Sequence, residues 1–599
     1  MSKVIAFHQA VPGYLNATAS GLELTLSIKG PQPDTLWVRS EPDNEETLTP
    51  MSLQGYQGEW ASYKVVIPFE TGHFQTRYLF KLVWSDRLLW CSALGLSTAM
   101  PENNHQFRYV PAGQVPGWVA EQVFYQIFPD RFANGDHSLT PAEGAYDYLQ
   151  GQKTRQRQWG ELPQSREGAI EFFGGDLHGI EQNLTYLQEE LGVTALYLNP
   201  VFESRSNHKY DTTDYSSVDQ HLGGDDALVQ LSESMHQRGM RLILDAVINH
   251  TSVFHPWFQA ALAGDEQARA RYVFDDKGDY VSWKGHRSLP VLDFANKGNV
   301  ETFISGEDSV VKHWLRPPFN IDGWRMDVIH MLGEGPGAYN NAHYVRMLRK
   351  AIKAENADAY LLGEHFFEAT SWLQGDQEDA AMNYYGFGHP VRAFFTGMDI
   401  AYHPIQLDAA DFANWLARAR AVIPFAQLTA QLNQLDSHDT RRLITMLNGQ
   451  VDLYLAAIGL LMTYIGTPCL YYGDELALPG EDDPDCRRCF PWDRAQWPEV
   501  VFETTRRWIA HRKALVSLQR GALVTLHAAG DVMIFARVLE SEQCLIAVNR
   551  GDATAVLCPD DLLPMARSWR LVEGVAQLEE ASSGWRIELA ARSTNLWSR

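Results

Sequence analysis

The rhythm of hydrophobic and polar positions changes twice along the chain. Residues 22–28 (Leu-Glu-Leu-Thr-Leu-Ser-Ile) alternate apolar and polar side chains, the period-two pattern of a strand with one buried face. Apolar runs at 78–84 and 88–91 flank Ser85-Asp86 and predict a hairpin. No helical period competes there. Residues 1–117 therefore read as a β-sandwich ending in a Pro- and Gly-containing linker at 111–117. Beyond it, apolar strands alternate with helical stripes. A first run at 123–128 is followed by Ile180, Leu184, Leu187 and Leu191, which fall on one face of a helix. Further strand runs follow at 193–198, 241–247, 321–328, 359–362, 381–384, 432–435 and 469–472. Such alternation predicts a parallel α/β sheet, and a count near eight favours a closed (β/α)8 TIM barrel. The open doubly wound sheet is disfavoured because no G-x-G-x-x-G turn follows an early strand. The barrel is assigned to 118–521, with an excursion at about 251–300 after the third strand. The β pattern returns at 532–538 and 544–548, predicting a C-terminal all-β domain over 522–599.

One stretch mimics a membrane span. Residues 453–473 carry no charge, but Gly466-Thr467-Pro468 divides them into a buried helix and a buried strand. Composition narrows the partners further. A net charge of −24 argues against nucleic acid and anionic membranes. Trp, Tyr and Phe make up 12% of the chain, enough for large cores and for flat platforms under sugar rings. Six scattered cysteines do not form a disulfide framework, and Cys486-x-x-Cys489 has no second pair to complete a zinc site. Reduced cysteines and an N-terminus without a signal-peptide pattern lead to the expectation of a cytoplasmic enzyme.

The chemistry gathers where predicted strands end, which in a TIM barrel is the catalytic rim. The third strand leads into Asp245-Ala246-Val247-Ile248-Asn249-His250, and the fourth ends with Arg325, Asp327 and then His330. The fifth ends Gly363-Glu364-His365, and the seventh runs into Asp436-Ser437-His438-Asp439. Positions i and i+2 of a strand share a face, so Arg325 and Asp327 emerge together, and the arginine is expected to hold the acid ionised. Taken alone, that decapeptide reads equally well as a structural ion pair. Four acid-bearing strand ends in one barrel are harder to explain by solvation.

Together these four stretches resemble the four short sequence regions of the α-amylase superfamily, glycoside hydrolase family 13. His208-Lys209-Tyr210-Asp211, Phe173-Gly174-Gly175-Asp176 and Leu289-Pro290-Val291-Leu292-Asp293 extend the resemblance. The domain order is similar to the cyclomaltodextrinase–neopullulanase branch, whose N-terminal domain is carbohydrate-binding-module-like. The resemblance implies Asp327 as nucleophile, Glu364 as general acid/base and Asp439 as transition-state stabiliser. It also implies substrate binding by Tyr210, His250, Arg325 and His438. Glu364 has no cation beside it in sequence and is expected to keep a proton. Ile329-His330-Met331 stands where the branch usually has Ala-Asn-Glu, and His365-Phe366 where it usually has a Trp. Both substitutions look like the maltodextrin glucosidases of the family. The expected activity is a retaining α-glucosidase releasing glucose from linear maltodextrins by hydrolysis of α-1,4 bonds. The alternatives are a maltogenic cyclomaltodextrinase/neopullulanase-type hydrolase or a transglycosylating relative. A non-catalytic barrel of the same superfamily is disfavoured because all three acids are present. Asn134, Asp136, Gly174 and Asp176 resemble part of a calcium site, but Leu139 and Thr140 replace two of its ligands. No cofactor is therefore expected to be required. The expected partner is maltodextrin alone, acting on a monomer or a homodimer formed through the N-terminal domain.

Overall fold

A computed structural model describes residues 3–111, 115–164, 168–334 and 340–599, so positions 112–114 of the expected linker lie outside the described residues. The N-terminal part is two antiparallel sheets face to face. One contains Ile5–Phe7, Leu15–Thr18, Gly21–Lys29, Ser52–Gln57 and Trp60–Ile67. The other contains Thr35–Ser40, Thr47–Pro50, Thr76–Val83, Leu88–Ser92, Gly95–Ser97 and Phe107–Tyr109. The alternation read at 22–28 does what a period of two must do. Leu22, Leu24, Leu26 and Ile28 point inward against Val38, Tyr78, Phe80 and Leu82 of the facing sheet. The predicted hairpin forms with Val83 opposite Leu88.

The centre is a parallel eight-stranded barrel built from Phe124–Ile127, Ala195–Leu198, Arg241–Ala246, Gly323–Met326, Tyr360–Gly363, Ala380–Ala381, Leu432–Gln434 and Thr467–Tyr471. The first and last of these strands pair directly, and a parallel bridge from Met382 to Leu432 links the sixth to the seventh. Inward-facing Phe124, Ala195, Tyr197, Ile243, Tyr360, Leu362, Leu432 and Cys469 fill the barrel, so it is a packed core rather than a pore. The sixth strand is shorter than the run at 381–384 suggests. Asn383 turns the chain out of the sheet by accepting the N–H of Gly386, and Tyr384–Gly388 coils into a helical turn. Helices cover the outside. The stripe at Ile180, Leu184, Leu187 and Leu191 is buried against the barrel, and Gly192 ends it at φ 98°, a conformation glycine adopts without a side-chain clash.

Between the third and fourth strands the excursion carries the short helices Pro256–Leu262, Glu266–Arg269 and Lys297–Val300. The bridge His250–Val291 pins it back over the third strand's end, and Ser282–Pro290 closes it on itself. The apolar stretch resolves into the buried helix Val451–Thr463 and the strand Thr467–Tyr471; among the described residues no helix is long and apolar enough to cross a membrane. The C-terminal part has a five-stranded sheet, Ala522–Ala529, Val532–Val538, Gln543–Asn549, Ser593–Ser598 and Arg570–Glu573, and a three-stranded one. It packs onto the same buried helix: Thr594 Oγ1 donates to the Ala456 carbonyl at 2.8 Å, and a Cβ at Gly459 would come within 2.7 Å of Thr594. All six cysteines are buried free thiols.

Candidate active site

Strand register assembles the charged cluster at the barrel's mouth. Asp245 and Arg325 are paired neighbours on the third and fourth strands. The fully buried Arg325 places Nη1 2.8 and 3.0 Å from the two Asp245 oxygens and 3.0 Å from Asp327 Oδ1. Its Nη2 lies 2.9 Å from Glu364 Oε1, a charge contact rather than an aligned hydrogen bond. One guanidinium thus faces three carboxyl groups. This corrects two expectations. Arg325 is not reserved for Asp327, and Glu364 does have a cation beside it, brought there by the fold rather than by sequence proximity. Burial and the neighbouring Glu364 charge push the Asp327 carboxyl well above the usual range, against the pull of Arg325. Burial likewise raises Asp245, to about 6, despite the same guanidinium. The cluster therefore retains a proton at pH values where isolated carboxyls would have lost theirs.

Backbone geometry orients the second oxygen of Glu364. Val328, directly after Asp327, sits in the left-handed region at φ 38°, ψ 42° and donates its N–H to Glu364 Oε2 at 2.8 Å. A β-branched residue rarely adopts that conformation, and such strain clusters at functional sites.

A neutral hydrogen-bond network forms the adjoining wall. Gln126 Nε2 donates to His438 Nδ1 at 2.8 Å, which leaves the His438 proton on Nε2, 2.6 Å from the Tyr210 hydroxyl. Tyr210 also accepts from Asn199 Nδ2 at 2.9 Å and donates to Asp245 Oδ2 at 3.0 Å. Burial, reinforced by Arg487 and Arg325, holds His438 well below the usual histidine range, so it is an uncharged donor. Asp439 lies 3.1 Å from His438 Nε2 and 3.3 Å from Arg487 Nη2, and it is the most exposed of the three proposed acids. His250 accepts from Asn249 and directs Nε2 at the Tyr210 carbonyl, 3.2 Å away; burial lowers its pKa to about 4. Asp245, Tyr210, His250, Arg325, Asp327, Glu364, His438 and Asp439 are thus joined in one continuous set of contacts. Gln126, Asn199 and Arg487 were not singled out from the sequence. Asn199 directly follows an apolar strand, as the acids do, and Gln126 is a polar residue inside the otherwise apolar run 123–128; those two patterns could have revealed them. Arg487 arrives from a distant loop, with no such signal.

The four calcium candidates are close to one another, but both Asp176 oxygens and one of Asp136 already accept hydrogen bonds. Asp176 accepts N–H groups from Gly135, Asp136 and Gly179, and Asp136 accepts from Ser138. Asn134 Nδ2 donates to Thr140 Oγ1, and a Cβ at Gly174 would meet that oxygen at 2.1 Å. Only Asn134 Oδ1 is buried without a partner there. Calcium takes six to eight oxygens at roughly 2.3–2.6 Å, and this donor set does not fit it. Among the described residues no group of three or more His, Cys, Asp or Glu side chains could hold a metal ion.

A family model described as "Alpha amylase, catalytic domain" matches residues 126–519. The chain belongs to the alpha-amylase family. It is a glycoside hydrolase with a barrel of that family at its centre. Among its relatives, a cyclomaltodextrinase of Geobacillus thermopakistaniensis is 35% identical over 453 residues, covering 74% of this chain and 71% of that protein. An intracellular maltogenic amylase of Bacillus subtilis is 35% identical over 458 residues, covering 73% and 70%. A solved cyclomaltodextrinase superposes with a TM-score of 0.74 at 26% identity over 99% of both chains. The family needs no organic cofactor.

Proposed function

We propose that this alpha-amylase family hydrolase cleaves α-1,4-glucosidic bonds of malto-oligosaccharides with retention of configuration. The observation that carries the reading is the Arg325 fork, which suspends Asp327 and Glu364 from one guanidinium at the barrel's C-terminal rim. Retaining glycosidases need two carboxyl groups about 5–5.5 Å apart, one ionised and one protonated. Three carboxyls sharing one cation supply both states, because they cannot all ionise cheaply. In this reading substrate binding moves the proton that the cluster retains onto the Glu364 side, leaving Asp327 ionised against Arg325; Glu364 gives that proton to the departing glycosidic oxygen while Asp327 closes on the anomeric carbon. Glu364 then takes a proton from water, which releases the sugar from Asp327. Uncharged His438, His250 and Tyr210 suit the hydroxyls of a neutral sugar, and Asp439 faces the cleft where oxocarbenium charge develops.

Two readings of the product follow from this centre. The names of the relatives favour a cyclomaltodextrinase-like or maltogenic enzyme. The chain's own residues favour glucose release from linear maltodextrins. His330 stands in the rim with Nδ1 3.4 Å from the Glu364 carbonyl, and Phe366, two residues past Glu364, stacks on Tyr384 at 4.2 Å. Digestion of β-cyclodextrin and of reducing-end-labelled maltotriose separates them. Ring opening with mainly maltose supports the first reading. Glucose from maltotriose with an intact ring supports the second, and larger oligosaccharides would reveal transfer to sugar acceptors. Absence of hydrolysis of both substrates would overturn the whole proposal. The name of the Bacillus subtilis relative supports action inside the cell.

A further inference from the structure

Behind Glu364 lies a buried carboxyl–imidazole contact that the proposed chemistry does not use. Glu378 is completely buried, and each of its carboxylate oxygens is 3.0 Å from His365 Nε2. His365 directly follows Glu364. On the other side of Glu364, a Cβ at Gly363 would come within 1.9 Å of Glu378 Oε2. The same carboxylate therefore holds the His365 ring on one side of the proposed acid and lies against the Gly363 backbone on the other, where only a glycine admits it. The contacts continue outward. The His365 ring packs on Trp372, centroids 4.5 Å apart, and Trp372 Nε1 donates to Asn341 Oδ1 at 2.8 Å. Asn341 Nδ2 donates to the carbonyls of Ile329 and Leu332, each at 2.7 Å, in the turn that follows Asp327. Trp372 also accepts the Glu378 N–H at 3.0 Å.

We propose that Glu378, His365, Trp372 and Asn341 are positioning residues that tie the turn after Asp327 to the strand end carrying Glu364, fixing the acid relative to the nucleophile. A buried carboxylate is retained only where its partner geometry is good, and truncating one member leaves the other unpaired. The strained Val328 N–H, which holds Glu364 Oε2, belongs to the same turn and needs that turn held in place. The inference rests on Glu364 acting as the general acid.

The test compares two leaving groups. Maltotriose needs its departing oxygen protonated, whereas α-maltosyl fluoride hardly does, so fluoride released in a single turnover reports attack without acid assistance. Glu378→Ala should lose about 100-fold in kcat/KM on maltotriose, at the low end of what general acid catalysis contributes, and under about threefold in the fluoride burst. Glu378→Gln keeps an acceptor for His365 and should recover most of the loss. Trp372→Phe keeps the ring but removes the donor to Asn341; it should lose about tenfold on maltotriose alone, and it carries the test if Glu378→Ala does not fold. Equal losses on both substrates, or no loss, would overturn the inference. Glu364→Gln is the control. If it too shows no leaving-group dependence, the assignment of Glu364 fails. If it does and the Glu378 and Trp372 variants do not, the positioning role fails alone.

Discussion

Replacing Asp245 with Asn should change how the stability of the enzyme depends on pH. The folded state raises this carboxyl from 3.8 to about 6, chiefly by burial, with Arg325 opposing. A raised acid binds its proton more tightly in the folded state. Its stabilising contribution is therefore complete below about pH 4 and lost as pH rises through about 6. At 1.36 kcal/mol per unit, the loss is about 3 kcal/mol, of which about 2 falls between pH 4.5 and 7.5. Asn cannot titrate but still accepts from the Tyr197 and Tyr210 hydroxyls, which lie 2.8 and 3.0 Å from Asp245 Oδ2. Urea unfolding of both proteins at pH 4.5, 5.5, 6.5 and 7.5 isolates the term. The stability of the variant relative to the wild type should rise across that range by about 2 kcal/mol. A difference that stays constant with pH would refute the claim that the cluster holds an extra proton.

Asp327→Asn should lower kcat on maltotriose at least about 10⁴-fold while leaving the melting temperature within a few degrees, since the amide removes the nucleophile but keeps an oxygen to accept from Arg325. Substantial residual turnover, free of wild-type contamination, would contradict its role. Dialysis against a chelator should leave activity and thermal stability unchanged, because Asp176 is occupied by backbone N–H groups and Asp136 Oδ1 by Ser138, and two ligand positions hold Leu139 and Thr140; a loss restored by calcium would be the opposing result. His438→Gln should raise KM for maltotriose without removing an ionisation between pH 5 and 7, because the wild-type imidazole is already neutral there. A wild-type pH limb that disappears in this variant would contradict that reading.

The acids at the strand ends were legible because each closes an apolar run, and a barrel brings all such ends to one rim. The i, i+2 relation correctly put Arg325 beside Asp327. It could not show that strand pairing sets Asp245 on the other flank of the guanidinium, or that Glu364 reaches its second nitrogen. The direction of the Asp327 shift was missed because a local pattern shows neither the burial that chiefly raises it nor the Glu364 and Asp245 charges that the fold adds. The sixth strand was read too long because Asn383, an ordinary polar residue in the run, turns the backbone with its side chain. Glu378 and Arg487 are separated from their partners by loops whose course no periodicity describes.

The central claim is that Asp327 forms a covalent bond to the sugar. Incubation with 5-fluoro-α-D-glucosyl fluoride, which slows breakdown of a glycosyl–enzyme intermediate, followed by peptic digestion and mass spectrometry, tests it directly. The account predicts a single added fluoroglucosyl group on the peptide that contains Asp327, absent from Asp327→Asn. Labelling of another carboxylate, or turnover of the reagent with no covalent adduct, would contradict it.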